Sequence, residues 1–126
     1  YSFEEPAYNT FDEKLAERRT SDSTFSGKTL VQVCTMEDIL KCHLPENKQI
    51  DFMNIDGQGI ELMILMSNNW KKYRPNYLLV ESLEFQGLPI SYLKDTPIDN
   101  FMKDKNYNLF SKTYSTLIYK DLNLNE

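Results

Sequence analysis

The sequence predicts an α/β fold in which parallel strands are closed by an antiparallel hairpin. Two short apolar segments, IDFMNID (50–56) and NYLLVES (76–82), flank a helix-forming stretch, IELMILMSNNW (60–70). Strands joined through a helical crossover run parallel and right-handed. The stretch YNLFSKTYSTLIYKD (107–121) then gives two β-type runs around a turn near residues 112–115, as a hairpin does. With 40% hydrophobic and 13% aromatic content, residues 1–126 read as a single domain with one core.

Each element has its own local signal. In NTFDEKLAERR (9–19), Thr10 precedes Glu13 by three positions, a capping-box pattern that opens a helix running to Arg19. TSDSTFSGK (20–28) is a polar linker in which Gly27 supplies an unusual backbone angle. TLVQVCT (29–35) alternates apolar and polar residues and is β-branched, so a strand is expected. Thr35 caps a short helix, MEDILKCH (36–43), which LPEN stops. The helix from Ile60 is apolar around most of its circumference and is expected to lie covered against a sheet. Pro75 keeps that helix from running into the next strand. In TPIDNFMKDKN (96–106), Thr96 caps, Pro97 takes the first helical position and Asp99 sits in the first turn, so about ten helical residues follow.

Composition excludes several functions. A net charge of −5 offers no general attraction to nucleic acid or to an anionic membrane. The basic clusters are ERR (17–19) and WKKYR (70–74), and the second, which interleaves aromatics with cations, reads as a solvated helix end. Cys34, Cys42 and His43 fall short of the four ligands of a structural zinc site, so no metal is expected. The thiols read as reduced, buried or incidental, as in a cytoplasmic protein. The longest apolar windows, Ile60–Met66 and Tyr77–Val80, are far shorter than the roughly 20 residues of a membrane span, and YSFEEPAY lacks the marks of a secretory leader.

The richest stretch is DFMNIDGQGIELMIL (51–65). Gly57 and Gly59 form half of a dinucleotide-binding G-x-G-x-x-G, and Glu81 stands where a ribose-binding acid would be. Against that reading, Leu62 replaces the third glycine, and Asp56 and Glu61 put carboxylates where a pyrophosphate needs bare N–H groups. The alternative makes the acid itself functional. At the carboxyl end of a parallel strand, Asp56 stands over the ligand crevice and could orient or deprotonate a hydroxyl, with Gln58 and Glu61 hydrogen-bonding a polar ligand. Both acids also have structural readings, Asp56 as an acceptor of turn N–H bonds and Glu61 as a helix N-terminal charge.

Taken together, NTFDEKLAE, VQVCTMEDIL, IDFMNIDGQGIELMIL, SNNWKKYRPNYLLVES and NYNLFSKTYSTLIYKD resemble the FkbM family of S-adenosylmethionine-dependent methyltransferases. Ile55, Asp56, Gln58, Gly59, Glu61, Leu62, Leu65, Trp70, Arg74, Pro75 and Glu81 carry the likeness, which extends from about Asn9 to Asp121. The resemblance implies the C-terminal part of a Rossmann-like methyltransferase sheet, with DFMNID as its fourth strand and NYLLVES as its fifth. It implies S-adenosylmethionine as cofactor and methyl transfer to a hydroxyl of a sugar or another secondary metabolite. On that reading Asp56 is the hydroxyl-orienting base, and Gln58, Glu61 and Glu81 bind the acceptor.

The chain also departs from the family's pattern. Its four glycines, Gly27, Gly57, Gly59 and Gly87, include none that starts a strand–loop–helix unit in the first fifty residues. The expectation is a partial FkbM-type domain that lacks the cofactor-loop half and is inactive alone. Gln58 stands where Glu is more usual, and Asn54 where Lys is often found. A missing half would bare the edge of the fourth strand, so a homo-oligomer or a partner chain is expected to cover it. A non-catalytic dimerisation module and a nucleotide-binding oxidoreductase fragment are the other two classes the sequence admits.

Overall fold

The computed structural model describes residues 1–93 and 95–124; Lys94 and residues 125–126 of the expected domain lie outside that range. Its strands are β1 (Ser2–Phe3), β2 (Phe25–Gly27), β3 (Phe52–Ile55), β4 (Tyr77–Glu81), β5 (Tyr107–Lys112) and β6 (Thr116–Asp121). The helices are α1 (Glu13–Arg19), α2 (Met36–His43), α3 (Glu61–Met66) and α4 (Pro97–Asp104). A four-stranded mixed sheet has the order β3-β4-β6-β5, and β1 and β2 form a separate two-stranded ribbon.

The βαβ expectation holds. β3 and β4 pair in parallel, from Phe52 opposite Tyr77 to Ile55 opposite Val80, with α3 in the connection. β6 lies antiparallel against β4, and β5 antiparallel against β6, so the hairpin closes the sheet. Leu78 and Val80 of β4 and Leu117 and Tyr119 of β6 point into the core, where they meet Leu65, Trp70, Leu93, Met102 and Tyr107. Alternate residues of a strand face opposite sides, which is why one face of β4 and β6 is fully dry. α4 keeps its expected cap, since the Thr96 hydroxyl accepts from Asp99 N–H at 3.2 Å. α2 likewise begins at Thr35, whose hydroxyl accepts from Asp38 N–H.

Arg74 ties the sheet together from below. Its guanidinium grips the buried Asp121 carboxylate with two bonds of 2.6 and 2.8 Å, donates to the carbonyls of Trp70 and Lys105, and stacks on the Tyr107 ring. WKKYR is therefore not a solvated helix end. Trp70 and Tyr73 are buried, and Arg74 is spent on Asp121.

Other expectations are corrected. TLVQVCT (29–35) forms no strand: Leu30 is fully exposed, Val31 and Val33 are largely so, and among the described residues no strand pairs with the segment. Alternation marks a segment that can pair, but a ladder needs a neighbour. The polar linker instead contributes β2, which pairs with β1. α1 starts two residues later than a Thr10 cap would place it, because the Asp12 carboxylate accepts from Leu15 N–H at 2.6 Å. α3 stops at Met66, since Ser67 turns its hydroxyl back onto the Ile64 carbonyl, and Met63 and Met66 stay exposed rather than covered. Cys34 and Cys42 are free and exposed, not buried.

Candidate functional site

The site forms at the carboxyl end of the parallel pair, where the chain leaves β3 through Gly57-Gln58-Gly59. Gln58 has φ 51° and Gly59 φ 107°, so the turn runs through backbone angles that favour glycine. Its N–H groups point inward. The buried Glu61 carboxylate, folded back from the first turn of α3, accepts from Gly57 N–H at 3.0 Å and from Gly59 N–H at 3.1 Å. Those N–H groups are the ones a pyrophosphate would need, so the turn is filled by the chain's own acid.

The segment before α1 and the helix itself press on the outside of this turn. The Thr10 hydroxyl donates to the Gln58 carbonyl. A Cβ on Gly59 would lie 3.1 Å from Leu15 and 3.2 Å from Asp12, the cap of α1. Gly59→Ala is expected to lower stability by about 1–3 kcal/mol from backbone strain and this crowding, measured by urea unfolding.

Arg19, at the end of α1, completes the assembly. It is buried, donates to the Tyr8 carbonyl at 2.9 Å and the Asn9 carbonyl at 3.3 Å, and reaches the Gln58 amide oxygen at 2.6 Å. The Gln58 amide nitrogen then donates to Asp56 and, at 2.8 Å, to Glu81. All four residues expected at the site thus meet, and Arg19 joins them. The sequence marks Arg19 only as part of a basic cluster at a helix end; nothing local to ERR shows that α1 docks on a turn some forty residues downstream.

Carboxylate oxygens of Asp56, Glu61 and Glu81 approach within 4.8 Å of one another. A hard cation takes such ligands, yet nothing else at the cluster points to one, and the crowding has a protonic answer. Glu81 is pushed up from the usual carboxylate range to about 7. Burial is the main cause, followed by its hydrogen bond with Asp56 and the charges of Asp56 and Glu61, while Arg19 pulls the other way. Like charges this close ionise one at a time.

Glu81 and Glu61 also line a cleft of about 720 Å³ between α1 and the segment that follows β4. Tyr8, Asp12, Arg18, Arg19, Asp22 and Glu84 supply its polar lining, and Leu15, Leu62, Leu83, Phe85 and Ile98 its apolar lining. Asp56, exposed at the end of β3, and Gln58 lie outside that lining.

The family model for the methyltransferase FkbM domain matches residues 4–109. The chain belongs to the FkbM methyltransferase family. No curated protein and no solved structure matches it. The matched span contains α1, the Gly57-Gln58-Gly59 turn, β3, β4 and the cleft, so every residue of the candidate site lies inside the FkbM domain. FkbM methyltransferases generally use S-adenosylmethionine. The cleft suits the charge of that cofactor: Asp12, Asp22, Glu61, Glu81 and Glu84 outnumber Arg18 and Arg19, and an excess of acids favours a sulfonium cation. Among the described residues, no helix is long and apolar enough to cross a membrane.

Proposed function

We propose that this FkbM domain catalyses S-adenosylmethionine-dependent O-methylation of a hydroxyl on a sugar or another secondary metabolite. The observation that carries this reading is Glu81, a carboxyl poised near neutrality on the wall of an open cleft. The cofactor, when bound, supplies a methyl carbon on cationic sulfur. The acceptor hydroxyl would be held against Glu81, with the sulfonium methyl as the electrophile and the demethylated thioether as the leaving group. The hydroxyl proton passes to Glu81, which its burial first, and then Asp56, hydrogen-bonded behind it, make basic enough to take it. Asp56 and Glu81 act as one base, with Glu81 as the face turned to the acceptor. Glu61 acts indirectly, by holding the turn.

Calorimetric titration with S-adenosylmethionine and its demethylated product, followed by transfer of a labelled methyl group to a panel of saccharides, tests the proposal. Micromolar binding with label in the acceptor supports it. A folded chain that gives no heat at millimolar cofactor sinks it, and combined with a stable oligomer would favour a non-catalytic dimerisation module.

An oligomer is itself part of the proposal. β3 pairs only with β4, so its outer edge is unpartnered among the described residues, and Phe52 is 68% exposed there. Exposed Leu30, Val31, Val33, Met63 and Met66 add apolar surface of the kind that soluble monomers keep small. A second copy of the chain, or a partner chain, covers this edge. Sedimentation velocity is expected to give a species heavier than 14.9 kDa, which Phe52→Lys, a charge on the open edge, shifts toward the monomer. A monomer at every concentration would count against it.

A further inference from the structure

We propose that Arg19 is a positioning residue for the base: it fixes the Gln58 amide with its NH2 group turned to Asp56 and Glu81, so that the docking of α1 sets the hydrogen bond that Glu81 receives. This rests on the reading of Glu81 as proton acceptor, and deepens it.

The chemistry of the donors leaves one arrangement. A guanidinium has only N–H donors, so the Gln58 atom that faces Arg19 at 2.6 Å is the amide oxygen. The NH2 group is then forced to the other side, where each proton meets one carboxylate. Were the amide reversed, two donors would face each other at Arg19, and the Gln58 oxygen would face two acids. Arg19 is also fixed at its far side by the Tyr8 and Asn9 carbonyls, so the amide, the loop before α1 and the helix end form one unit. Gln58 holds its αL backbone angle through Thr10, which grips its carbonyl. Charged groups reach Glu81 from three directions: Asp56 after β3, Glu61 from α3 and Arg19 from α1, with Glu84 on the same cleft wall. Of these, Arg19 alone is a cation, and it alone moves with α1.

Two effects of Arg19 on Glu81 therefore have the same sign. Its charge favours the carboxylate directly, and the NH2 group it orients donates to the carboxylate. With α1 still in place and Glu81 still covered, loss of the Arg19 contact to Gln58 removes both, and Glu81 keeps its proton to higher pH.

The test needs no cofactor. In the full chain, the Glu81 side-chain carbonyl is titrated by carbon-13 NMR, and the Gln58 side-chain NH2 pair is followed by nitrogen-15 spectra. Arg19→Lys keeps the charge but cannot span Gln58 and both carbonyls, and Gln58→Asn keeps a residue that tolerates the turn while shortening the amide. Each is expected to raise the Glu81 midpoint by about half a unit or more and to move the NH2 pair, or in Gln58→Asn its replacement, to the shifts of a free amide. Arg19→Met, which removes the charge as well, is expected to raise the midpoint further. An Arg19 that serves packing alone leaves the midpoint unchanged in folded Arg19→Lys and in Gln58→Asn, and that result overturns the proposal. If the midpoints move as expected but no methyl transfer is found with the unaltered chain, the function proposed above fails and the role of Arg19 stands.

Discussion

Replacing Asp121 with alanine is expected to lower the free energy of unfolding by about 3 kcal/mol, near the lower end for a broken buried pair because part of the Arg74 side chain still reaches water. Asp121 is 6% exposed and takes both oxygens to the Arg74 fork, and it also accepts from Asn123 N–H at 2.9 Å. Removing it leaves a guanidinium committed to the Trp70 and Lys105 carbonyls with no counter-charge. The cost comes from the stranded cation more than from the lost attraction. Asp121→Asn, which keeps the shape and one acceptor, should cost less. Urea unfolding monitored by the fluorescence of Trp70 measures both, and an Asp121→Asn variant as stable as the unaltered chain would show that the charge does not matter.

The second large effect concerns the base. With an acceptor found, Glu81→Gln is expected to reduce kcat by about 10²–10⁴-fold, the usual share of a positioned proton acceptor. The unaltered enzyme should gain activity as pH rises through about 7, where Glu81 loses its proton, and the variant should lose that limb. Stability should move the opposite way. Glu81 binds its proton more tightly in the folded chain than in the unfolded one, where its pKa is near 4.5. Between those two values the folded state carries the extra proton, so unfolding free energy falls as pH climbs from about 4.5 past 7. Solvent screening keeps this to about 1–2 kcal/mol. Thermal unfolding of Glu81→Gln across the same range should lack that decline. An unchanged pH profile in both measurements would remove Glu81 from the base.

The parts of the fold that rest on local chemistry were legible in the sequence. Thr35 and Thr96 announce α2 and α4 because a cap is a contact over three residues, and the βαβ unit follows from its order of apolar runs. The parts that rest on partners were not. Residues 29–35 carry a strand's alternation but find no ladder among the described residues, and β1–β2 is a ribbon of two and three residues, too short to leave a periodic signal. The site divides in the same way. Asp56, Gln58, Glu61 and Glu81 stand at the ends of recognisable elements, so their meeting could be foreseen. Arg19 could not, because its role depends on where α1 docks and not on anything beside it in the chain. The division of labour between the acids was hidden too. Glu61 differs from Glu81 only in that its carboxylate folds back onto two turn N–H groups, a matter of side-chain direction.

The strand order has a consequence for how the chain acquires its shape. β6, the last described strand in sequence, lies inside the sheet between β4 and β5, and Arg74 waits for Asp121. The sheet cannot grow strand by strand as the chain leaves the ribosome. Until β6 inserts, one edge of β4 is open on a segment as apolar as Tyr77–Val80, and a nascent chain paused in that interval presents a surface that chaperones bind and that like chains aggregate through.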